Sequence, residues 1–200
     1  MLNLNRDEPE CFSSFKIKNN PHSYSDDCDE YELRECLRKA LLKEQKYQCF
    51  YCEKKIENNP SKVHIDHIKQ RTVYHKLECT YSNMALSCND NSHCAKYKDN
   101  QEIWDNNKFL RIVSENSELQ ENVADFFIYI SNGKVAVKKS LTEDEKKRAT
   151  NTIEYLNLNH KDLVATRENI FSQLEMYKGC NYKIDEIYTF FNEFENLFKG

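Results

Sequence analysis

Four cysteines in the middle of the chain place the tightest limit on its fold. Two residues separate Cys49 from Cys52, and a second pair, Cys88 and Cys94, follows after 35 intervening residues. A two-residue spacing lets both thiolates reach one ion from a tight turn, and four sulfurs match a closed, tetrahedral zinc site. Such a site would stabilise a segment that is otherwise poor in apolar residues. The sequence therefore predicts a structural zinc centre, with His93 as an alternative to Cys94 for the fourth ligand.

The other five cysteines have no partners at such spacings. The total of nine is an odd number, and the opening MLNLNRDEPECF contains no apolar signal core. In a reducing cytosol, cysteines are more often metal ligands or buried small side chains than disulfides. We therefore expect a cytoplasmic protein in which the remaining cysteines are buried free thiols. These are Cys11, Cys28, Cys36, Cys79 and Cys180.

Length and composition indicate one domain, or one domain with an appendage. Two hundred residues suffice for a real core, and a hydrophobic fraction of 39% argues against a mostly disordered chain. No apolar run exceeds five residues, so we expect no membrane span. A net charge of −4 argues against coating nucleic acid by bulk electrostatics. Residues 61–76 nevertheless carry four basic side chains against one acid, which leaves room for a local basic site.

Before the cysteine segment, the chain predicts an arm followed by a helix. Residues 1–28 are polar and show no clear periodicity, so we expect an extended or irregular arm. From Asp29 to about Gln45, apolar residues recur at helical spacing on an otherwise charged segment. Asp27 or Asp29 is a candidate cap for the start of this helix.

After the cysteine segment, the first clear signal is a β-hairpin. An apolar stretch over residues 104–113 predicts short packed elements of unspecified type. The runs FFIYI and VAVKK then flank a turn sequence, and Asn132-Gly133 within it is typical of a type I′ turn with two positive φ angles.

The rest of the chain predicts helices. Thr142 and Glu145 match a capping box at the start of the first one. The expected helices run to about Tyr155, from about Lys161 to Lys178 with Gly179 as a C-terminal cap, and from about Ile184 to Phe198. An aromatic stripe along the last helix indicates core packing or, as the alternative, a docking face for a partner protein.

The segment between the two cysteine pairs contains an Asp-His dipeptide. The run VHIDHI alternates like a strand and ends with Asp66 and His67. An aspartate is a hard oxygen ligand for Mg²⁺, and a histidine is a base that titrates near neutral pH. Sixteen residues later, Asn83 precedes a short apolar strand over residues 84–88 and a polar helix over residues 93–100.

This order of residues resembles that of the HNH endonucleases, which have a ββα-metal fold. The resemblance implies that Asp66 binds the catalytic divalent metal, Mg²⁺ or Mn²⁺, and that His67 is the general base that activates water. It also implies that Asn83 holds the loop between the strands so that His67 is correctly oriented. The cysteines would form the structural zinc site that many members carry.

One spacing departs from the family pattern. Many zinc-bearing members have a second Cys-x-x-Cys followed at once by an Asn or His that completes the metal site. Here five residues separate the second pair of cysteines, and the next residue is Ala95. Lys98 falls at its expected place, four residues after Cys94. The third motif residue must come from elsewhere, with His93 as the first choice and Asn91 as the second.

A narrower resemblance extends over residues 41 to 167. The blocks LLKEQKYQCFYCEKKI, HIDHIKQR, YSNMALSC with HCAKYK, and NTIEYLNLNHKDLVATR are similar to PtuB, the HNH subunit of Septu and retron-linked antiphage systems. The resemblance implies a nuclease that acts with an ABC ATPase of the SMC type, PtuA, which restrains or licenses it. A retron reverse transcriptase and its DNA are further implied partners. The substrate would be DNA or, as in some retron-linked relatives, tRNA, with DNA favoured.

The resulting expectation is an α+β, mainly helical fold with a zinc-stapled ββα-metal core. An N-terminal arm and helix (1–45) would precede the core (46–101). A C-terminal hairpin with helices (102–200) would pack on the core and is a candidate surface for a partner.

Three residues are candidates for contact with the substrate. Arg71 could fork onto a phosphate, although a surface salt bridge suits it equally. His64 lies on the strand face of Asp66 and is a candidate for contact with substrate or metal, and Lys98 is the third. The alternative to an enzyme is a non-catalytic, zinc-stapled module that binds nucleic acid or protein, which Ala95 and the acidic net charge indicate.

Overall fold

The computed structural model of the chain describes residues 1, 7–113 and 120–176, without the side chain of Leu174. Within these residues the structure is mixed α and β, with several helices and two small sheets. This agrees with the predicted α+β class. The helices are α1 (Glu10–Asn19), α2 (Tyr24–Asp27), α3 (Tyr31–Glu44), α4 (Cys94–Lys98), α5 (Glu143–Tyr155) and α6 (Lys161–Met176). The expected helix over 184–198, the Gly179 cap and Cys180 lie outside the described residues.

The first 28 residues contain two helices, so the prediction of an irregular arm is wrong. Phe12 and Phe15 of α1 are buried, and α1 packs against α3. Two aromatic residues on one side of a ten-residue helix are enough to dock it, although they leave little periodic signal. A disulfide also joins Cys11 in α1 to Cys36 in α3, which corrects the expectation that both are free thiols.

Helix α3 buries its apolar side but begins differently from the prediction. Glu30 precedes its first turn, and no side chain caps it. Asp29 instead pairs with Arg34 at 2.8 Å, and Asp27 accepts two backbone hydrogen bonds ahead of α2. Both candidate caps therefore serve neighbouring contacts. The buried leucines of α3 are Leu33, Leu37, Leu41 and Leu42.

The strand predicted from the run VHIDHI and the strand predicted over residues 84–88 are both confirmed. Strand β1 (Val63–His67) pairs antiparallel with β2 (Met84–Cys88), with Asp66 opposite Ala85. Because side chains alternate along a strand, His64 and Asp66 share one face. Helix α4 follows β2 and is shorter than the predicted polar helix.

The second sheet is the predicted hairpin of β3 (Phe127–Tyr129) and β4 (Val135–Val137). Its turn is not type I′, because Gly133 (φ 75°) is the residue with a positive φ in this loop. The Ile130 carbonyl accepts from the Gly133 N–H at 2.9 Å, and the Ile130 N–H donates to the Lys134 carbonyl at 3.0 Å. This pattern is a three-residue loop with a type I turn and a bulge. A Cβ at position 133 would also collide with the Val164 carbonyl of α6. Glycine is therefore required both for the positive φ and for the close approach of α6.

Helix α5 begins with the predicted capping box and packs on the apolar stretch before the hairpin. The Glu145 N–H donates to the Thr142 hydroxyl at 3.4 Å, and the Glu145 carboxylate accepts from the Thr142 N–H at 2.8 Å. The rings of Trp104, Phe109 and Tyr155 lie 4.4–5.3 Å apart and tie residues 104–113 to α5. Across the described ranges, none of the helices has the length and apolar character needed to cross a membrane.

Candidate metal centre and candidate active site

The four predicted zinc ligands converge in the interior and form what we call the cysteine cluster. Their Sγ atoms all lie within 4.8 Å of one another, and all four residues are buried. Cys49 and Cys52 occupy a tight turn in which the Glu53 N–H donates to the Cys49 carbonyl at 2.9 Å. Cys88 ends β2, and Cys94 begins α4. The cluster could hold a metal ion such as zinc.

The surroundings of the cysteine cluster favour a thiolate at Cys49 but not at every member. Hydrogen bonding to Cys49 raises the pKa of Cys88, and burial raises the pKa of Cys94. Burial acts to raise the pKa of Cys49, but hydrogen bonds from Cys52, Cys88 and Cys94 lower this pKa well below its usual range. The thiolate is the form of cysteine that binds a metal. Four sulfur donors leave no open position on a tetrahedral ion, so the donor set fits a closed structural site rather than a catalytic one.

The long spacing before Cys94 is accommodated by its backbone and by the end of α5. Cys94 has a φ of 63° in the left-handed region, which costs a non-glycine residue about 1–3 kcal/mol. Its N–H donates to the Leu156 carbonyl at 2.9 Å, and the Asn157 amide donates to the Ser92 carbonyl at 2.8 Å. The segment after α5 therefore holds the loop between the last two sulfur ligands in place.

His93 lies at the cysteine cluster and not beside Asp66. Its Nδ1 is 3.1 Å from the Cys94 sulfur and 3.8 Å from the Cys88 sulfur, and its Nε2 is 3.5 Å from the Asp90 carboxylate. The expectation that His93 supplies the third motif residue is therefore corrected, because both ring nitrogens face other partners. The 3.1 Å separation suits a hydrogen bond between the His93 ring and the Cys94 sulfur. Asn91, the second choice, is exposed on the same loop.

Asp66 is buried near the end of β1 with both carboxylate oxygens engaged. Tyr51 donates its hydroxyl to Oδ2, and the Lys98 ammonium lies 3.2 Å from Oδ1. Only 5% of the residue is exposed. Burial raises the pKa of Asp66, although the charge of Lys98 opposes this shift. The carboxylate is thus held by two protein groups, one at each oxygen.

Lys98, expected at the substrate, is instead wholly buried. Its ammonium donates to the His67 carbonyl at 3.0 Å and lies 2.9 Å from the Asp99 carboxylate, in addition to its contact with Asp66. Three N–H groups thus have three acceptors. The prediction of a direct substrate contact is corrected, because a side chain with 0% exposure cannot reach a substrate in this arrangement.

His67 is positioned as a neutral imidazole with one bare nitrogen. Its Nε2 lies 2.8 Å from the Glu78 carbonyl, which can only accept, so Nε2 carries the proton and Nδ1 does not. The ring of Tyr24 in α2 packs edge-on against it with centroids 4.7 Å apart, and His67 is 6% exposed. Burial lowers the pKa of His67 to about 4, so the ring is neutral at pH 7.

Asn83 clamps the loop that joins β1 and β2. Its side-chain oxygen accepts from the Lys69 N–H at 2.9 Å, and its amide donates to the Lys69 and Leu77 carbonyls at 3.1 and 3.2 Å. The residue is fully buried. Because this loop also carries Glu78, the clamp lies next to the carbonyl that holds His67.

Arg71 and His64 lie at the edges of the site. Arg71 contacts the Ser25 hydroxyl and stacks over the Tyr24 ring at 5.7 Å, which places its charge beside the cover of His67. Both ring nitrogens of His64 are buried without a hydrogen-bond partner. Both ring nitrogens of His64 could therefore still form a hydrogen bond or bind a metal ion.

Two tyrosines that contact the Asp66–His67 pair were not predicted from the sequence. Tyr51 lies between Cys49 and Cys52, and a phenol inside a cysteine turn was the available signal. Tyr24 falls in the segment expected to be an arm, and no local pattern connects it to His67.

The residues around His67 do not fit a preformed site for a catalytic divalent ion. Asp66 has partners at both oxygens, and Ala95 offers no ligand at the third motif position. Among the described residues, the one group of three or more possible ligands is the cysteine cluster. These residues therefore offer Mg²⁺ or Mn²⁺ no set of free ligands beside His67.

No protein-family model matches the chain, and no curated protein matches it either. The fold and the site thus define a mixed α and β protein with a candidate structural zinc centre next to a buried Asp-His pair.

Proposed function

We propose that the chain is an HNH-type endonuclease that hydrolyses phosphodiester bonds in nucleic acid with His67 as the general base. The observation that carries the proposal is the setting of His67. The residue ends the first of two paired strands, donates its Nε2 proton to a main-chain carbonyl, and follows Asp66 directly. The order β1, β2, α4 and the clamp by Asn83 also match what the HNH resemblance implies.

The chemistry assigned to His67 is proton transfer. Nδ1 would accept a proton from a water molecule as the water oxygen attacks phosphorus and the bond to the leaving oxygen breaks. A pKa of about 4 keeps His67 neutral at pH 7 but makes it a weak proton acceptor, so catalysis would need this pKa to rise as the ring becomes exposed to solvent. Arg71, whose guanidinium lies over the Tyr24 ring that covers His67, would supply a positive charge for a phosphate. By family analogy, a DNA product would carry a 5′-phosphate and a 3′-hydroxyl.

Substrate access would require α2 to move. Tyr24 packs on His67, and the Tyr24 N–H donates to the Glu78 carboxylate at 3.1 Å. Helix α2 has only four residues, so its displacement disrupts few backbone hydrogen bonds.

The biological setting is proposed from the sequence blocks. The chain would be the effector of an antiphage system in the cytoplasm, controlled by a PtuA-like ABC ATPase of the SMC type and, in retron-linked forms, associated with a reverse transcriptase and its DNA. DNA is the favoured substrate and tRNA the alternative. The Cys11–Cys36 disulfide is the observation against a reducing cytoplasm.

The decisive experiment incubates the purified, zinc-loaded chain with duplex DNA and with tRNA, with and without Mg²⁺ or Mn²⁺ and the ATPase. His67→Ala should lose about 100-fold or more of the cleavage rate, because general-base catalysis contributes at least that much. His22→Ala, which changes an exposed histidine, is the matched control and should retain the wild-type rate. Cleavage that persists in His67→Ala would contradict the assignment of His67 as the general base.

A second candidate function is a non-catalytic, zinc-stapled binding module. The burial of both Asp66 and His67, together with Ala95, favours it. The same incubations separate the two functions, since stable binding of nucleic acid without cleavage under any condition supports the module.

A further inference from the structure

Three oxygen atoms surround the ammonium of Lys98. They belong to the Asp99 carboxylate at 2.9 Å, the His67 carbonyl at 3.0 Å and the Asp66 carboxylate at 3.2 Å. Two carboxylates and a carbonyl are also the kind of donors that a hard divalent cation takes. We propose that Lys98 fills this cation site with its own ammonium and thereby keeps divalent ions away from Asp66 and Asp99.

The ammonium is well held in this position. Lys98 has no exposed surface, and the side chain of Asp66 is only 4% exposed. Burial acts to lower the pKa of Lys98, but the carboxylates of Asp66 and Asp99 outweigh it and raise the pKa above its ordinary value. The side chain is therefore charged at neutral pH. An entering ion has to displace a buried, fully hydrogen-bonded cation.

The rest of α4 provides no replacement ligand. Ala95 precedes Lys98 by three residues and so lies on the same side of the helix, where it is also fully buried. The helix thus presents a methyl group and an ammonium to this region. On the far side of the carboxylate, the Tyr51 hydroxyl engages the remaining oxygen of Asp66.

Lys98 would also determine how catalysis responds to Mg²⁺, an expectation that rests on the proposed function. Any cleavage by the free, zinc-loaded chain should proceed at the same rate, within about twofold, with or without added Mg²⁺, because the ion has no site to enter. Cation binding itself can be measured whether or not the chain cleaves nucleic acid. Failure of the nuclease proposal and failure of this inference are therefore distinguishable.

The test titrates Mn²⁺ into the zinc-loaded protein and follows the electron paramagnetic resonance signal of free Mn²⁺. Wild-type protein should leave the signal unchanged at stoichiometric Mn²⁺. Lys98→Ala, which removes the ammonium and leaves both carboxylates, should bind one equivalent. Lys96→Ala on the same helix removes an equal charge outside the site and should behave as wild type. Zinc content and circular dichroism establish that each variant is folded.

Two outcomes overturn the inference. One is a stoichiometric Mn²⁺ site in the wild type that Asp66→Asn abolishes, a result that stands even where Lys98→Ala does not fold. The other is a folded Lys98→Ala protein that binds no Mn²⁺, since the oxygens would then have no affinity for a divalent ion.

Discussion

The cysteine cluster and the Asp66–His67 pair belong to one segment, yet they differ in whether the protein itself supplies a positive charge to balance their negative charge. The basic side chain in contact with the clustered sulfurs is His93, and burial lowers its pKa, so it is neutral at pH 7 and supplies them with no positive charge. Asp66 has Lys98 as a counter-ion and Tyr51 as a hydrogen-bond donor. The difference teaches that clustered ligand atoms alone do not define a metal site. An external ion is required where the protein supplies no cation of its own.

Removal of zinc should have the largest effect on stability. It tests whether the cysteine cluster requires an external ion. Cys52→Ser should lose the metal and unfold, because a structural zinc contributes about 10 kcal/mol or more, which is comparable to the whole stability of a domain. Elemental analysis should find about one zinc per wild-type chain, and circular dichroism reports the fold. Cys79→Ser, outside the cluster, is the control. Equal folding after a chelator has removed the zinc would refute the structural site.

Parts of both sites could be predicted because their signals are local. The spacing of Cys49 and Cys52 fits one tight turn, and the alternation around Asp66 fits a strand. The Thr142–Glu145 box is likewise contained in one helical turn. In each case, the residues that make the contacts are near one another in sequence.

The remaining features depend on contacts between distant residues. The cover of His67 by Tyr24 spans 43 positions, and the pairing of Cys11 with Cys36 joins two helices. Nothing in the sequence around Lys98 distinguishes a lysine that faces a substrate from one that neutralises Asp66. The positive φ of Cys94 could not be predicted either, because its N–H donates to the carbonyl of Leu156, which is far away in the sequence.

The buried state of His67 should appear as a pH effect of intermediate size. Because its folded pKa of about 4 lies below the unfolded value near 6.5, the unfolded chain binds this proton first. The contribution of His67 to stability is therefore complete above pH 6.5 and is lost as the pH falls toward 4, a change of about 3 kcal/mol.

Exposure of the His67 ring to solvent should raise its pKa and so reduce the loss of stability at low pH. Tyr24→Ala removes the ring that covers the imidazole, so the pKa of His67 should rise toward 6.5, as measured by NMR titration of the histidine ring signals. Tyr31→Ala changes a tyrosine that is 69% exposed and should leave this pKa where it is. Zinc content is checked at each pH so that loss of the metal is not mistaken for titration of His67. A pKa that stays near 4 in Tyr24→Ala would show that burial by α2 is not its cause.

The smallest effect should come from the hydroxyl that connects the two sites. Tyr51 lies between two cysteine ligands and donates to Asp66, so Tyr51→Phe breaks the link without removing a sulfur or a charge. A lost hydrogen bond to a charged group costs about 1.5–3 kcal/mol, and urea unfolding measures it. Tyr47→Phe, at a tyrosine that is 56% exposed, should change the free energy of unfolding by less than about 0.5 kcal/mol. If the two sites are built independently, the zinc content of Tyr51→Phe stays at the wild-type level while the unfolding free energy falls. Loss of zinc in Tyr51→Phe would contradict that separation, because the cysteine cluster would then depend on the hydrogen bond to Asp66.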